Sequence, residues 1–257
     1  MDNVVHIRPA LPMAPFGVND YGSSRDDPAL RIVRAQSVLG LLPEKEQLAL
    51  VRQSRIRPFP KNRVLFRTGD DGRSVVLVLS GYVKLSVTAA NGREAVIEIA
   101  RPGTIFGELA VLNGTPRQAD AVALTDCRVM AIDGGLFRRA IASTPEAMFA
   151  TIRLLSERLS TATAMSMEIG SLPAPVRLAK ALLHLAETPS VRSGDHVPIG
   201  VRLSQRELGA MTGMIRESVN KHLKAWSDAG WIEMVNGSVT LCDVRALRDF
   251  VDEYEAA

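Results

Sequence analysis

One stretch of the chain carries apolar or small side chains on a strict three-four spacing. Because this spacing matches one face of a helix, it predicts a helix of roughly 25 residues that pairs with a second helix through a supercoiled seam. A single amphipathic helix lying on its own domain would show the same spacing, but the length favours the paired helix. The seam positions are Met148, Ile152, Leu155, Leu159, Ala162, Ser166 and Ile169.

Two prolines end this helix. Pro173 and Pro175 lie in the segment Leu172-Pro173-Ala174-Pro175, and proline cannot continue the hydrogen-bond ladder of a helix. We therefore predict a hinge and a domain boundary here. With 257 residues, 46% of them hydrophobic, the chain can hold two domains of roughly 100–150 residues, each with its own core.

The region before the helix, from Arg57 to Ile132, alternates short β-branched runs with turn residues. Asn91-Gly92 is a strong signal for a two-residue hairpin, and Pro102-Gly103 marks another turn. This alternation of short strands and turns predicts a compact antiparallel barrel or roll. Its predicted strands are Val64–Phe66, Val75–Leu79, Val83–Val87, Ala95–Ile99, Ala121–Leu124 and Arg128–Ile132.

Segments whose apolar residues have the spacing of helices lie on both sides of these strands. Residues Ala29–Val51 predict two short helices with a break at Gly40–Pro43, and a helical period returns after Gly134-Gly135. Residues 1–28 carry scattered Pro and Gly and no compact apolar block, so we expect a flexible arm and no secretory signal. No apolar run approaches the roughly 20 residues needed to cross a bilayer, which predicts a cytoplasmic protein without a membrane partner.

Composition narrows the function further. A formal charge of +3 permits nucleic-acid binding without requiring it. Cys127 and Cys242 are too few for a disulfide scaffold and too far apart for a short-spaced metal site, so we expect inert buried thiols. No Ser/His/Asp, metal-spaced or Walker-type constellation is present, which predicts that the chain is not an enzyme.

The segment after the prolines has the pattern of a helix-turn-helix. Ser204-x-x-Glu207 is a capping box that starts a helix at Ser204, and Thr212-Gly213-Met214 predicts a tight turn. The second helix, Arg216–Trp226, can bury Val219, Leu223 and Trp226 on one side. Its other side carries Arg216, Glu217, Asn220, Lys221 and Lys224.

Such a polar face can enter a DNA major groove, where Arg or Lys donates to guanine and Glu accepts from cytosine. Between Arg202 and Lys224, five Arg or Lys residues oppose two Glu, a surplus suited to phosphates. A solvated charged helix face would look similar in isolation. The Asn236-Gly237 hairpin signal that follows predicts a wing beside the recognition helix, and Asp243–Tyr254 predicts a closing helix.

From roughly Ser37 to Leu241 the chain resembles the catabolite activator (CRP/FNR) family of bacterial regulators. Arg216-Glu217-Ser218-Val219-x-Lys221 is similar to the family pattern R-E-T/S-V-x-R, with Lys221 where Arg is usual and Ile215 where a helix-capping Ser is usual. The resemblance implies that Arg216, Glu217 and Lys221 read bases of a TGTGA-like half-site. It also implies that Ser204 contacts a phosphate.

The resemblance implies an α+β architecture. Residues 29–144 would form a cyclic-nucleotide-binding-like sensor domain, an antiparallel β-roll of the double-stranded β-helix or jelly-roll type. Residues 145–171 would form the dimerisation helix, and residues 172–257 the winged helix-turn-helix domain that binds DNA. The implied partners are a second copy of the chain, a pseudo-palindromic double-stranded operator and RNA polymerase.

Within the sensor region, Phe106-Gly107-Glu108-Leu109-Ala110-Val111-Leu112 followed by Thr115-Pro116-Arg117-Gln118-Ala119 resembles the phosphate-binding cassette of cyclic-nucleotide-binding domains. Gly107 would let the backbone approach a ligand, and Arg117 would supply a fork for a phosphate. The resemblance implies that Glu108 accepts a ribose 2′-hydroxyl. Without the resemblance, Gly107 would be a turn residue and Glu108 a solvated partner of Arg117.

A hydroxyl on the seam helix would contact the base of the nucleotide. Thr163 lies near the adenine-contacting Thr-Ser pair of the family, although Thr161 and Ser166 are rival candidates. The predicted nucleotide-binding residues are Gly107, Glu108, Leu109, Arg117, Gln118 and Thr163. The expected effector is cyclic AMP or cyclic GMP, with no tightly bound cofactor.

Four alternatives can be weighed for the sensor. Gln118 stands where the bacterial family often has Ser, which favours a regulator that needs no nucleotide or answers another ligand such as a cyclic dinucleotide. The chain could also be the nucleotide-binding module of an enzyme or channel. Its second domain would then differ from the winged helix-turn-helix that Ser204–Leu241 indicates, so the pattern argues against this alternative. An iron–sulfur cluster needs several thiolates, and the barrel offers only Cys127. Haem is not expected either, because the histidines lie outside the barrel, at His6, His184, His196 and His222.

Overall fold

The computed structural model describes residues 27–186, 196–235 and 237–255. The predicted N-terminal arm therefore lies outside the described residues except for its last two. Helix α1, Pro28–Ala35, begins behind Asp27, whose carboxylate accepts a hydrogen bond from the Ala29 amide at 2.8 Å. A 3-10 turn, Leu39–Leu41, separates α1 from α2, Glu44–Gln53, and so confirms the predicted break.

Two four-stranded antiparallel sheets follow α2 in the described part of the chain. Their elements are β1 Arg55–Phe59, β2 Val64–Phe66, β3 Ser74–Ser80, β4 Val83–Thr88, β5 Glu94–Ala100, β6 Ile105–Phe106, helix α3 Glu108–Asn113, β7 Asp120–Ala123 and β8 Cys127–Asp133. The strand orders are β1-β8-β3-β6 and β2-β7-β4-β5. All six predicted strands are present, and β1 and β6 are additional strands that the sequence did not predict.

Alternation along these strands divides the apolar side chains between two cores. Val76, Val78 and Val129 join Val83 and Leu85 of the facing sheet in a core between the sheets. The alternate residues of β3 and β8 point to the opposite face and pack against the helices. That second core includes Leu30, Leu50, Val75, Leu77, Met130, Ile132 and Phe137.

Two helices lead out of the β-roll. Helix α4, Gly134–Ile141, follows β8 directly, and α5, Pro145–Ser171, is the predicted long helix. Ala147, Thr151 and Leu154 of α5 lie against the β-roll domain, with Ala147 and Thr151 buried. Most of the seam residues, by contrast, are exposed in the single chain, as at Leu159, which is 70% exposed.

The part after the prolines is a winged helix-turn-helix. Its elements are α6 Ala174–Ala186, β9 Val197–Pro198, α7 Gln205–Thr212, α8 Arg216–Asp228, β10 Ile232–Val235, β11 Ser238–Leu241 and α9 Val244–Glu255. The strands form one antiparallel sheet in the order β10-β11-β9. The predicted wing hairpin is confirmed, although Asn236 of its turn lies outside the described residues.

The third core joins these helices to the β-roll. Leu178, Leu182, Leu208 and Leu223 are buried within it together with other side chains of the winged helix domain. Leu124, Tyr82 and Ile99 from the β2-β7-β4-β5 side of the roll also pack into this cluster. In the described ranges, no helix is both long and apolar enough to cross a membrane.

Candidate effector pocket and nucleic-acid interface

The start of α3 requires a glycine. Gly107 has a φ of 80°, in the left-handed region that side chains other than glycine rarely adopt. A Cβ at this position would also collide with Nη1 of Arg117. Gly107 therefore lies directly against Arg117, and the two cassette residues stand side by side. The predicted approach of a ligand to the Gly107 backbone stays a prediction.

Arg117 is held on several sides. Its Nη2 donates to the carbonyl oxygen of Ser74 at 2.7 Å and to the Ser74 hydroxyl at 3.0 Å, while Nη1 donates to the Gly107 carbonyl at 3.1 Å. Its guanidinium carbon lies 4.2 Å from the centre of the Phe66 ring. Only 5% of the residue is exposed, and burial lowers the pKa of its guanidinium. These contacts hold the guanidinium group of Arg117 in one orientation at the edge of the cassette.

Glu108, the first residue of α3, is fully buried and pairs with Arg158 of α5. Nη1 of Arg158 donates to Oε1 of Glu108 at 2.6 Å, and its Nη2 donates to the carbonyl of Ile105 at 2.5 Å. Glu98 lies 3.4 Å from the same guanidinium. Burial raises the pKa of the Glu108 carboxyl, and the nearby Arg158 opposes this only in part.

The second carboxylate oxygen of Glu108, Oε2, has no hydrogen-bond partner among the described residues. A buried polar oxygen left without a partner is costly, so it calls for a donor. The solvated Glu108 that the alternative interpretation required is not observed. Its ion-pair partner is Arg158, which the sequence analysis did not single out, and not Arg117.

The other predicted nucleotide residues are more exposed. Leu109 is 40% exposed, and Gln118 is exposed beside Arg117. Thr163 is exposed on α5, where its hydroxyl donates to the Leu159 carbonyl at 2.9 Å. It lies five residues after Arg158, or about 7.5 Å along the helix axis. The rivals Thr161 and Ser166 are exposed as well.

Neither cysteine has the surroundings of a reactive thiol. Cys127 is buried, and burial raises its pKa to about 11. Cys242 is only partly buried, contrary to the expectation of two buried thiols, and this partial burial raises its pKa as well. Across the described ranges, no group of three or more His, Cys, Asp and Glu side chains could hold a metal ion.

The helix-turn-helix has the local features that its sequence predicts. The Ser204 hydroxyl accepts from the Glu207 amide at 3.2 Å, and the Glu207 carboxylate accepts from the Ser204 amide at 2.7 Å, which completes the capping box. Gly213 ends α7 with a φ of 69°. A Cβ on Gly209 would lie 2.5 Å from the Met214 carbonyl, so α7 and the turn approach closely at this point.

Helix α8 separates a buried side from a polar side. Val219, Leu223 and Trp226 are buried in the core of the winged helix domain. All five predicted residues of the outer side are exposed: Arg216, Glu217, Asn220, Lys221 and Lys224. Ile215 at the helix start caps no amide with its side chain and is 63% exposed. Ser204 is also exposed, at the start of α7.

Two known domain families match separate segments of the chain. Residues 56–144 match the model of the cyclic nucleotide-binding domain, and residues 176–250 match the Crp-like helix-turn-helix domain. A CRP-like cAMP-activated global transcriptional regulator from Mycobacterium tuberculosis is 32% identical over 199 residues. That alignment spans 77% of this chain and 89% of the relative.

Solved structures share this fold over more than three quarters of the chain. A transcriptional regulator of the CRP/FNR family from Thermus thermophilus matches with a TM-score of 0.63 and 26% identity, over 78% of this chain and all of the other. The c-di-GMP-responsive global regulator CLP from Xanthomonas campestris has the same fold, with a TM-score of 0.64 and 23% identity, over 77% of this chain and 96% of the other. Together with the two domain matches, these relatives show that the chain belongs to the CRP/FNR family of DNA-binding transcription regulators.

Proposed function

We propose that this regulator binds its operator as a homodimer and that a cyclic nucleotide, cyclic AMP or cyclic GMP, controls this binding. The observation that carries the proposal is Glu108, a fully buried carboxylate with one oxygen on Arg158 and the other without a partner in the described chain. A ribose 2′-hydroxyl would give Oε2 the donor it lacks. The cassette residues beside it, Gly107 and Arg117, would hold the phosphate.

Binding would change the contacts of α5. The phosphate would take over hydrogen bonds that Arg117 donates to Ser74 and Gly107, and the base would reach Thr163 on α5. Arg158 connects α5 to Glu108 at the start of α3. A ligand that contacts both helices would therefore bind more tightly when α5 is in one position than when it is in another. Such a difference is what shifts a conformational equilibrium.

Arg177 offers a route from the hinge to the DNA-reading unit. It lies on α6, just after Pro173 and Pro175, and donates to the Leu172 carbonyl at 2.5 Å and to the Thr212 carbonyl at 2.8 Å. These bonds connect the end of α5 with the turn that precedes α8. A displacement of α5 would therefore be passed to the recognition helix.

The exposed seam of α5 supports the homodimer. In a dimer, the apolar side chains from Met148 to Ile169 would pack against the same helix of a second copy, and the two copies of α8 would enter successive major grooves about 34 Å apart. The operator would then be pseudo-palindromic with TGTGA-like half-sites. Its readers would be Ser204, Arg216, Glu217, Asn220, Lys221 and Lys224, and RNA polymerase would be the further partner.

We assign residues 29–144 to the sensor domain, 145–171 to the dimerisation helix and 172–257 to the DNA-binding domain. A second candidate keeps the DNA binding and changes the trigger. It is favoured by the exposed Gln118 at the position where the family often has Ser, because the amide offers no comparable hydroxyl to a cyclic phosphate. In that case the ligand would be a cyclic dinucleotide, or the protein would bind DNA without one.

Isothermal titration tests the sensor. Cyclic AMP, cyclic GMP, 2′-deoxy cyclic AMP and cyclic di-GMP are titrated into the wild type and into Glu108→Gln. We expect cyclic AMP to bind the wild type about tenfold more tightly than its 2′-deoxy analogue, since a hydrogen bond to a charged group contributes about 1.5–3 kcal/mol. This ratio should shrink in Glu108→Gln. Binding of cyclic di-GMP alone would favour the second candidate, and an unchanged ratio would contradict the role of Glu108.

A further inference from the structure

The N-cap position of α8 is occupied by Ile215, whose side chain accepts no hydrogen bond from the first turn of the helix. Ser, Thr, Asp and Asn are preferred at an N-cap, because a side-chain oxygen there accepts from one of the free amides. Ile215 is also 63% exposed. The chain therefore forgoes a cap and exposes an apolar side chain at one and the same position.

The core of the winged helix domain does not require this isoleucine. Met214, directly before it, is partly buried and packs against that core, whereas Ile215 lies outside it. The next two residues, Arg216 and Glu217, are exposed as well. Ile215 thus extends the exposed surface of α8 past its first turn, at the end of the helix that is proposed to enter the DNA.

The chemistry of the major groove limits what an apolar side chain can contact there. The N-terminal residues of a recognition helix lie against the base edges. These edges present hydrogen-bond donors and acceptors, which isoleucine cannot bind, and one apolar group, the 5-methyl of thymine. A β-branched side chain suits such a contact, because its χ1 angle is restricted before the DNA is bound.

We propose that Ile215 is a specificity-determining residue that packs against the 5-methyl group of a thymine, beside the bases that Arg216 and Glu217 contact. Binding buries the exposed isoleucine, and its apolar surface contributes to affinity where that methyl group is present. This inference rests on the proposed DNA-reading role of α8. It adds a contact that recognises a base without a hydrogen bond.

Uracil tests this contact directly, because it lacks the 5-methyl group of thymine and pairs with adenine in the same way. An operator is first selected from a random double-stranded DNA library with the full-length wild type, without effector and with cyclic AMP, cyclic GMP or cyclic di-GMP. The thymines of one half-site are then replaced by uracil, one position at a time. Fluorescence anisotropy gives the dissociation constants of the wild type, Ile215→Ser and Ile215→Val.

We expect uracil at one position to weaken binding of the wild type by about fourfold, which corresponds to about 0.8 kcal/mol for one buried methyl group. Ile215→Ser should bind the thymine and uracil forms of that position equally. Ile215→Val keeps an apolar β-branched side chain and should keep most of the difference. Uracil at the other thymines serves as the control within each protein.

A stability measurement separates loss of the contact from loss of the fold. Ile215→Ser supplies the side-chain oxygen that the N-cap lacks, so the midpoint of thermal unfolding of the free protein should rise. A more stable variant that no longer distinguishes thymine from uracil would have lost the contact alone. A lower midpoint for Ile215→Ser would show that Ile215 supports the fold, and would overturn the assignment of its side chain to the DNA.

The binding outcomes also separate this inference from the function on which it rests. A wild type that enriches no sequence under any condition contradicts the DNA-reading role itself, and the inference with it. An operator without thymine in its half-sites, or one that uracil weakens at no position, overturns the inference alone. The same holds if uracil weakens the wild type and Ile215→Ser equally, because the methyl group then acts through another residue.

Discussion

Arg158 of α5 and Glu108 of α3 meet across 50 residues of sequence, with Nη1 of the arginine 2.6 Å from Oε1 of the glutamate. The carboxylate is fully buried, whereas about a quarter of the arginine side chain is exposed. This ion pair therefore fastens the long helix to the cassette at the position where the nucleotide is proposed to bind.

Removal of the arginine should destabilise the fold. Arg158→Ala leaves the Glu108 carboxylate buried without its countercharge, and breaking a buried ion pair from one side costs about 3 kcal/mol, the low end of the usual range. Arg153→Ala, at an exposed position on the same helix, should change the free energy of unfolding by less than about 0.5 kcal/mol. Chemical denaturation of the two variants measures both values, and equal losses would contradict a special role for Arg158.

The pH dependence of stability should report the buried carboxyl. Burial raises the pKa of Glu108 in the folded protein, so its contribution to stability is largest below the unfolded pKa of about 4.3 and falls as pH rises through the folded value. Glu108→Gln stays neutral throughout. The free energy of unfolding of this variant should therefore increase relative to that of the wild type as pH rises from about 4 towards 7.

Denaturant unfolding at several pH values measures this difference. Burial also raises the pKa of Glu98, and the charge of Glu108 raises it further. Glu108→Gln removes that part of the Glu98 shift, which changes the difference in the same direction as the loss of the Glu108 titration. A difference that does not vary with pH, or that turns against the variant as pH rises, would show that burial does not raise the pKa of Glu108 in the folded protein.

The dimer should depend on one side of α5. Leu159→Glu places a charge in the seam, where desolvation would oppose pairing, and sedimentation should show monomer at micromolar concentration. Ala164→Glu adds the same charge at an exposed position on the opposite side of the helix and should leave the dimer intact. Dissociation by both variants, or by neither, would contradict the seam.

Two helical glycines should respond to alanine in opposite directions. At Gly209 a Cβ would lie 2.5 Å from the Met214 carbonyl, so Gly209→Ala should cost about 1–3 kcal/mol of stability. At Gly170 no atom outside the local helix lies within 4 Å of a Cβ, so Gly170→Ala should gain up to about 1 kcal/mol. Thermal unfolding of both variants tests this, and a tolerated Gly209→Ala would show that the turn can move aside.

The sequence predicted much of the fold because local patterns dictated it. The β-branched runs and the Ser204 capping box have periods and spacings that specify one element each. Strand β1 was not predicted, because Arg55–Phe59 includes charged residues and Pro58, which weaken a strand signal. Strand β6 consists of two residues and has too little pattern to predict.

The contacts of the site were harder to predict, because they join distant segments. Arg158 looks like an ordinary charge on a helix surface until α5 is docked on the β-roll. One signal could have found it: Ala147, Thr151 and Leu154 form a second stripe on α5, and Arg158 continues that stripe at the same spacing. The contact between Gln205 and Asn220 has no such signal, since the two side chains lie on different helices and form no sequence pattern.

Nucleotide control of DNA binding is tested by fluorescence anisotropy of a labelled operator, which is recovered by selection from a random double-stranded DNA library. The dissociation constant is measured without effector and with saturating cyclic AMP, cyclic GMP or cyclic di-GMP. We expect cyclic AMP or cyclic GMP to tighten binding by at least about fivefold, the lower end of ordinary allosteric coupling. A dissociation constant that none of these nucleotides changes would contradict nucleotide control of DNA binding.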